Sequence, residues 1–112
     1  MSKESIGSFE EVVMLTVAIL YGNAYGISIK QELEDRLRRK VSVGAMRVTL
    51  QRLEKKGLLK SDFGEATSVR GGKRKRYYLV TPYGKGVLEQ VMATRQDLWQ
   101  SIPNIAFDFK TG

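Results

Sequence analysis

The chain has 112 residues, a formal net charge of +7 and neither cysteine nor histidine. This length suits a single domain covering residues 1–112, and the missing residue types exclude disulfides, thiol catalysis and ordinary zinc sites. Nothing resembles a signal peptide, and the longest apolar stretch is far shorter than the about 20 residues of a membrane span. We therefore expect a soluble, cytoplasmic protein that uses no cofactor and is not an enzyme.

The positive charge is concentrated in one part of the chain. Residues 36–76 carry 14 Lys and Arg against three acidic residues, whereas the other 71 residues carry five basic and nine acidic ones. A concentrated basic surface is typical of proteins that bind nucleic acid. A solvated basic surface or a face for anionic membranes would share the pattern, but charge asymmetry of this kind favours nucleic acid.

The first predicted helix follows a capping box formed by Ser8 and Glu11, and it ends near Tyr21, before Gly22. It is apolar on nearly every side, and a domain this small has difficulty burying such a helix completely. We expect part of its surface to meet a second subunit, and the alternative is a core helix covered by its own chain. The residues predicted at that subunit contact are Val12, Leu15 and Ile19.

Two further helices are predicted over residues 27–39 and 42–56, with Ser42 as the N-cap of the later one and Gly57 as its stop. Apolar residues of the third helix recur at the spacing of a face that packs on a core. The early positions that are free of that face and could reach the bases of a duplex are Ala45, Arg47, Val48 and Gln51. Ser42 and the backbone N–H groups beside it suit a phosphate, since a helix N-terminus attracts anions, so all five positions are predicted DNA contacts.

A β-hairpin follows, with strands predicted at 59–63 and 76–80 and a basic loop over 66–76 between them. In the first strand, Leu59, Ser61 and Phe63 are expected on its half-buried face. The loop ends in four consecutive cations without an acid among them, which suit contacts with a phosphate backbone, although a solvated charge run would look similar. These cations are Lys73, Arg74, Lys75 and Arg76.

Thr81-Pro82 begins a fourth helix that reaches about Ser101, before a tail at residues 103–112. The apolar stripe of this helix is longer than the small domain needs. The stripe consists of Leu88, Val91, Met92, Leu98, Trp99 and Ile102.

The order of these elements predicts a mainly α fold with a small β-hairpin, the winged helix-turn-helix. In this fold one helix crosses the DNA backbone and the next enters the major groove. Arg47 has the donors to pair with guanine and Gln51 has the groups to pair with adenine, each worth about 1–3 kcal/mol of discrimination. Either side chain could instead bind phosphate, which positions the protein without reading sequence.

The sequence resembles the PadR family of bacterial winged-helix transcriptional regulators. The resemblance implies a compact member of the family with a single closing helix. Residues of about 8–81 would form the winged helix-turn-helix, and residues of about 82–102 would form a dimerisation helix. In the family this last helix packs against the first helix of the partner subunit. The chain departs from the family's pattern at Val43 and at Arg47-Val48, where proline and a tyrosine-proline pair are usual, so the family's base preference does not carry over. The matching segments are 42–46, 50–59, 71–81 and Gly84.

These features predict a homodimer that binds double-stranded DNA sequence-specifically and represses transcription. A winged helix that binds RNA or an acidic protein partner would share the charge pattern and is the alternative. Some relatives respond to aromatic compounds, so Trp99 is a candidate contact for a small aromatic effector between subunits. A tryptophan in an interface is more often a packing anchor.

Overall fold

A computed structural model of the chain describes residues 6–64 and 74–108. It confirms the predicted fold of three helices, a two-stranded hairpin and a long closing helix. No helix within these two ranges has the length and the hydropathy to cross a membrane. The elements are α1 (Ser8–Ile19), α2 (Gly26–Leu37), α3 (Val43–Lys55), β1 (Leu59–Phe63), β2 (Arg76–Val80), α4 (Pro82–Ser101) and a 3-10 helix (Asn104–Phe107).

The first helix begins one residue earlier than the predicted capping box. Its N-cap is Gly7, whose N–H donates to Oε1 of Glu10 at 2.8 Å, so Ser8 is already the first helical residue. With Gly7 as the cap, Glu10 is the third helical residue and supplies the carboxylate that reaches back, while the carboxylate of Glu11 pairs with Arg95 on α4. The predicted pairing of Ser8 with Glu11 is therefore wrong, although the helix it announced is present.

The core lies where the three helices meet the base of the hairpin. Gly22 and Gly57 adopt positive φ values of 84° and 79°, which glycine tolerates at a helix end, and both ends were predicted from these residues. Arg38 ends α2 with a φ of 54°, so that helix stops at Leu37, two residues before its predicted end. The largest fully buried side chains are Met14, Ile29, Leu33, Leu53, Leu58, Leu59, Val13 and Val17.

The folded chain is elongated. Its Cα radius of gyration is 17.8 Å and its principal extents are 66 × 40 × 22 Å, whereas a compact domain of this length has a radius near about 13 Å. The extension comes from α4, in which Leu88 is the last buried residue of the part that the structure describes. The second half of α4 therefore lies largely outside the core of its own protomer.

The start of α4 is attached to the turn after α3. Thr81 Oγ1 accepts from the Gly84 N–H at 2.9 Å, as the predicted cap requires, and donates to the Gly57 carbonyl at 2.7 Å. Gly84 is buried directly against the carbonyl of Leu58, where a Cβ would not fit. Because Gly57 and Leu58 follow the C-terminus of α3, the start of α4 is held against the end of α3.

Candidate nucleic-acid interface

The turn between α2 and α3 is held by one carboxylate. Glu34 Oε2 accepts from the Val41 N–H at 2.9 Å and from Lys30 Nζ at 3.0 Å. The Val41 hydrogen bond, followed by the Lys30 contact, lowers the pKa of Glu34 below its ordinary value. A charged Glu34 thus fixes where α3 begins relative to α2, which is the geometry that a helix-turn-helix depends on.

The third helix, α3, presents a clear division between core and solvent. Ser42 Oγ accepts from the Ala45 N–H at 3.2 Å, which confirms Ser42 as the N-cap. The buried side is formed by Met46, Thr49, Leu50 and Leu53. All five predicted DNA contacts lie on the exposed side, namely Ser42, Ala45, Arg47, Val48 and Gln51.

A groove runs between this helix, the N-terminal turn of α2 and the beginning of β2. Its floor is mostly apolar and includes Met46, Leu50 and Tyr78. Burial of Tyr78 raises the pKa of its hydroxyl above the ordinary value. Its walls carry four cations together with the amide of Gln51. The cations are Lys30, Arg47, Lys75 and Arg76.

The hairpin is attached to the helices through its second strand. The strands pair antiparallel with Leu59 opposite Val80 and Phe63 opposite Arg76, as the predicted strand bounds require. The Tyr78 N–H donates to the carbonyl of Ala24, in the turn between α1 and α2, at 2.8 Å. The base of the wing is therefore fixed against the helices.

Lys75 is held in position by an aromatic contact. Its Nζ lies 4.1 Å from the centroid of the Tyr25 ring, a cation–π contact. Tyr25 in turn meets Tyr77 edge to face, with ring centroids 5.7 Å apart. Lys75 is thereby held next to the N-terminus of α2, on the same groove as Arg47.

Arg76 is tied into the protein on both sides of its guanidinium. The group lies 4.3 Å from the centroid of the Phe63 ring, and Nη1 donates to Ser61 Oγ at 2.7 Å. Ser61 Oγ donates onward to Glu54 Oε2 on α3 at 2.6 Å. Arg76 therefore joins the hairpin to α3, a structural role that the uniform basic run did not reveal.

Phe63 corrects one detail of the predicted strand. It was expected on the half-buried face with Leu59, but its side chain is 50% exposed. The reason is its place at the open end of the hairpin, where the Arg76 guanidinium rather than the core covers its ring. Of the predicted backbone contacts in the wing, Arg74 is exposed, and Lys73, with the rest of 65–73, lies outside the described residues.

The residues predicted at a subunit contact differ in how exposed their side chains are. Leu98 and Trp99 are 62% and 67% exposed, and Ile19 is 51% exposed. Leu88 is only 8% exposed and belongs to the core of the chain, because it lies on the first turns of α4 that pack on the domain. Its predicted place in a subunit contact stays a prediction. Val12, Leu15, Val91, Met92 and Ile102 are half-buried.

The predicted tail contains a short ordered segment. Residues 104–107 form a 3-10 turn that returns to α4, where the rings of Trp99 and Phe107 lie 6.2 Å apart. An open depression begins beside Trp99 on the face of α4. It is lined by Met92, Ala93, Arg95, Gln96, Leu98, Trp99 and Ile102. Nothing in it distinguishes an effector site from a packing surface, so the effector role of Trp99 remains a prediction.

Sequence reasoning missed the aromatic and cationic groups that surround the contact residues. Tyr25, which supports Lys75, and Lys30, which lies on the groove, were not among the predicted site residues. The contact between Phe63 and Arg76 could have been predicted, because antiparallel pairing of the two predicted strands places these residues opposite each other. For Tyr25 no local signal exists, since its partners come from another element.

Comparison with known proteins finds similarity to PadR-like transcriptional regulators in both sequence and fold. The family described as transcriptional regulator PadR-like matches residues 14–90. An uncharacterised Lysinibacillus sphaericus protein is 31% identical over 96 residues, covering 84% of this chain and 82% of that protein. A PadR-like transcription factor from Bacteroides fragilis is 27% identical with a TM-score of 0.70, covering 83% of this chain and 84% of that one. A PadR family transcriptional regulator from Eggerthella lenta is 28% identical with a TM-score of 0.67, covering 88% and 83%.

Proposed function

Because the chain belongs to the PadR-like family of transcriptional regulators, which is a family of DNA-binding proteins and not of enzymes, we propose that it is a homodimeric repressor that reads a specific duplex sequence. In this proposal α3 enters the major groove, and the wing over residues 66–76 lies on the flanking backbone. The two subunits place their recognition helices in successive major grooves, about 34–36 Å apart.

The groove between α3 and the wing is the observation that carries the proposal. It places Arg47 and Gln51, two residue types that read base edges, beside cations that suit phosphates. The major groove is about 12 Å wide and accepts one helix. Arg47, Gln51 and the cations all line the same groove of the protein. One bound duplex could therefore contact the base-reading side chains and the cations at the same time.

The exposed stripe of α4 supports the dimer. Leu98 and Trp99 are large apolar side chains that remain well exposed in the protomer, and the first helix leaves Ile19 open as well. Surfaces of this kind commonly belong to an interface. Packing of α4 against the partner's α1 would cover both.

Selection of bound fragments from a random duplex pool tests the proposal. We expect recovered duplexes to contain two inverted half-sites whose centres are about 10 base pairs apart. A structured RNA pool of equal length serves as the competitor. Preferential recovery of RNA would favour the RNA-binding alternative, and failure to retain any duplex at low salt would favour an acidic protein partner.

Neutralising the wing should weaken binding to every duplex to a similar degree. We expect the double substitution Arg74→Ala and Lys75→Ala to reduce the slope of log affinity against log salt by up to about 0.9 for each phosphate that the protein no longer neutralises. Lys60→Ala, which removes an exposed cation from β1, is the control and should leave the slope nearer to the wild-type value. Titrations at several salt concentrations measure it, and an unchanged slope in the double variant would remove the wing from the interface.

A further inference from the structure

The direction of α4 is fixed at two places on the protomer. The first is its start, where buried Gly84 packs on the Leu58 carbonyl. The second lies further along, where Arg95 Nε and Nη2 donate to the two carboxylate oxygens of Glu11 at 2.9 and 2.8 Å. The Glu11 side chain is only 10% exposed, and a bidentate pair restricts orientation as well as distance.

We infer that the Glu11–Arg95 pair sets the spacing of the two DNA half-sites that the dimer accepts. This inference rests on the homodimer of the proposed function, in which each α4 connects a recognition helix to the subunit interface. The angle between α4 and the rest of the protomer then determines how far apart the two α3 helices lie. Arg95 is thus a positioning residue that acts on the choice of operator without touching DNA.

The length of α4 makes this angle consequential. At about 1.5 Å per residue, Arg95 lies about 16 Å from Gly84 and Ser101 lies about 25 Å from it. A rotation of about 10° at Gly84 would displace Ser101 by about 4 Å, which exceeds the 3.4 Å that separates adjacent base pairs along the duplex.

Packing within the protomer supplies little else to resist such a rotation. Beyond Leu88, α4 has no buried residue among those that the structure describes. The half-buried Val91 and Met92 are apolar and give no directional contact of their own. The ion pair with Glu11 is the directional contact on the outer half of the helix.

The test uses the full chain and duplexes carrying two copies of the half-site recovered from the random pool. The copies are set at the selected spacing and at one and two base pairs shorter or longer. We expect the affinity of the wild type to fall about tenfold for each base pair of mismatch, because bending or twisting the duplex costs free energy. For Arg95→Gln we expect affinities within about threefold across all spacings, with unchanged binding to a single half-site.

Lys85→Gln is the matched control. It makes the same change of charge on the same helix and breaks the exposed contact of Lys85 with Glu89, which is 4.0 Å long. We expect it to keep the wild-type dependence on spacing. A flattened dependence in Lys85→Gln as well would assign the effect to the change of net charge and overturn the role of the pair.

A second variant separates positioning from a loss of stability. Arg95→Gln leaves the nearly buried carboxylate of Glu11 without its cation, whereas Glu11→Gln with Arg95→Gln removes that charge and should give the same flat profile. Wild-type selectivity for spacing in both variants would overturn the inference while leaving the homodimer intact. If the wild type itself sediments as a monomer or ignores spacing, the proposed dimeric function fails and this inference fails with it.

Discussion

Substituting Gly84 with alanine should lower the free energy of unfolding by about 3 kcal/mol, because overpacking against a part that cannot move is costly. The new methyl group would overlap the carbonyl oxygen of Leu58. That carbonyl accepts a hydrogen bond from the Thr81 N–H at 3.1 Å. Moving it away from the new methyl group would break this bond at the residue that caps α4.

Gly86→Ala is the control for this prediction, two residues along the same helix. A Cβ at Gly86 would meet nothing within 4 Å, so the better helix propensity of alanine should raise stability by up to about 1 kcal/mol. Urea denaturation followed by circular dichroism measures both variants, at several protein concentrations because dimerisation adds to stability. Equal stability of the two variants would contradict the close packing of α4 on the turn after α3.

The bounds of most elements could be predicted because their signals are local. The cap at Ser42, the positive φ at Gly57 and the Thr81-Pro82 start each depend on a few neighbouring residues. The hairpin shows the same point, since both strands lie where their alternating residues and the turn between them require. Even the first helix, whose cap was misassigned by one residue, begins close to its predicted position.

The partners of charged side chains could not be predicted in the same way. Glu11 and Arg95 are distant in sequence and meet only because α1 and α4 cross at a particular angle. Arg76 looked equivalent to its neighbours in the basic run, although cross-strand pairing gives it Phe63 and Ser61 as partners. A count of charges establishes that the surface is basic. It does not show which cations are already paired with other side chains of the protein.

The sequence also did not predict which residues of the apolar stripe on α4 are buried and which are exposed. Leu88 and Leu98 occupy the same kind of position in the pattern, yet the former is buried and the latter is open. The periodicity of a helix shows which face is apolar. It does not show where along that face the core of the protomer ends.

Leu98→Glu should prevent dimerisation without unfolding the protomer. Leu98 is 62% exposed, so its replacement removes little from the protomer core. Burying a leucine contributes about 1.5–3 kcal/mol, and a two-fold symmetric interface contains two copies. We therefore expect the dimer dissociation constant to rise by at least about 100-fold, and by more because each glutamate would also have to lose its water.

The same variant should lose high-affinity binding to the paired half-sites while still binding one half-site weakly. Gln100→Glu adds the same charge to an exposed position of the helix and should behave as the wild type does. Sedimentation equilibrium measures the assembly, and titration of one-site and two-site duplexes measures its effect on DNA binding. A Leu98→Glu protein that remains dimeric would exclude the outer half of α4 from the interface and leave the exposed side of α1 as the candidate surface.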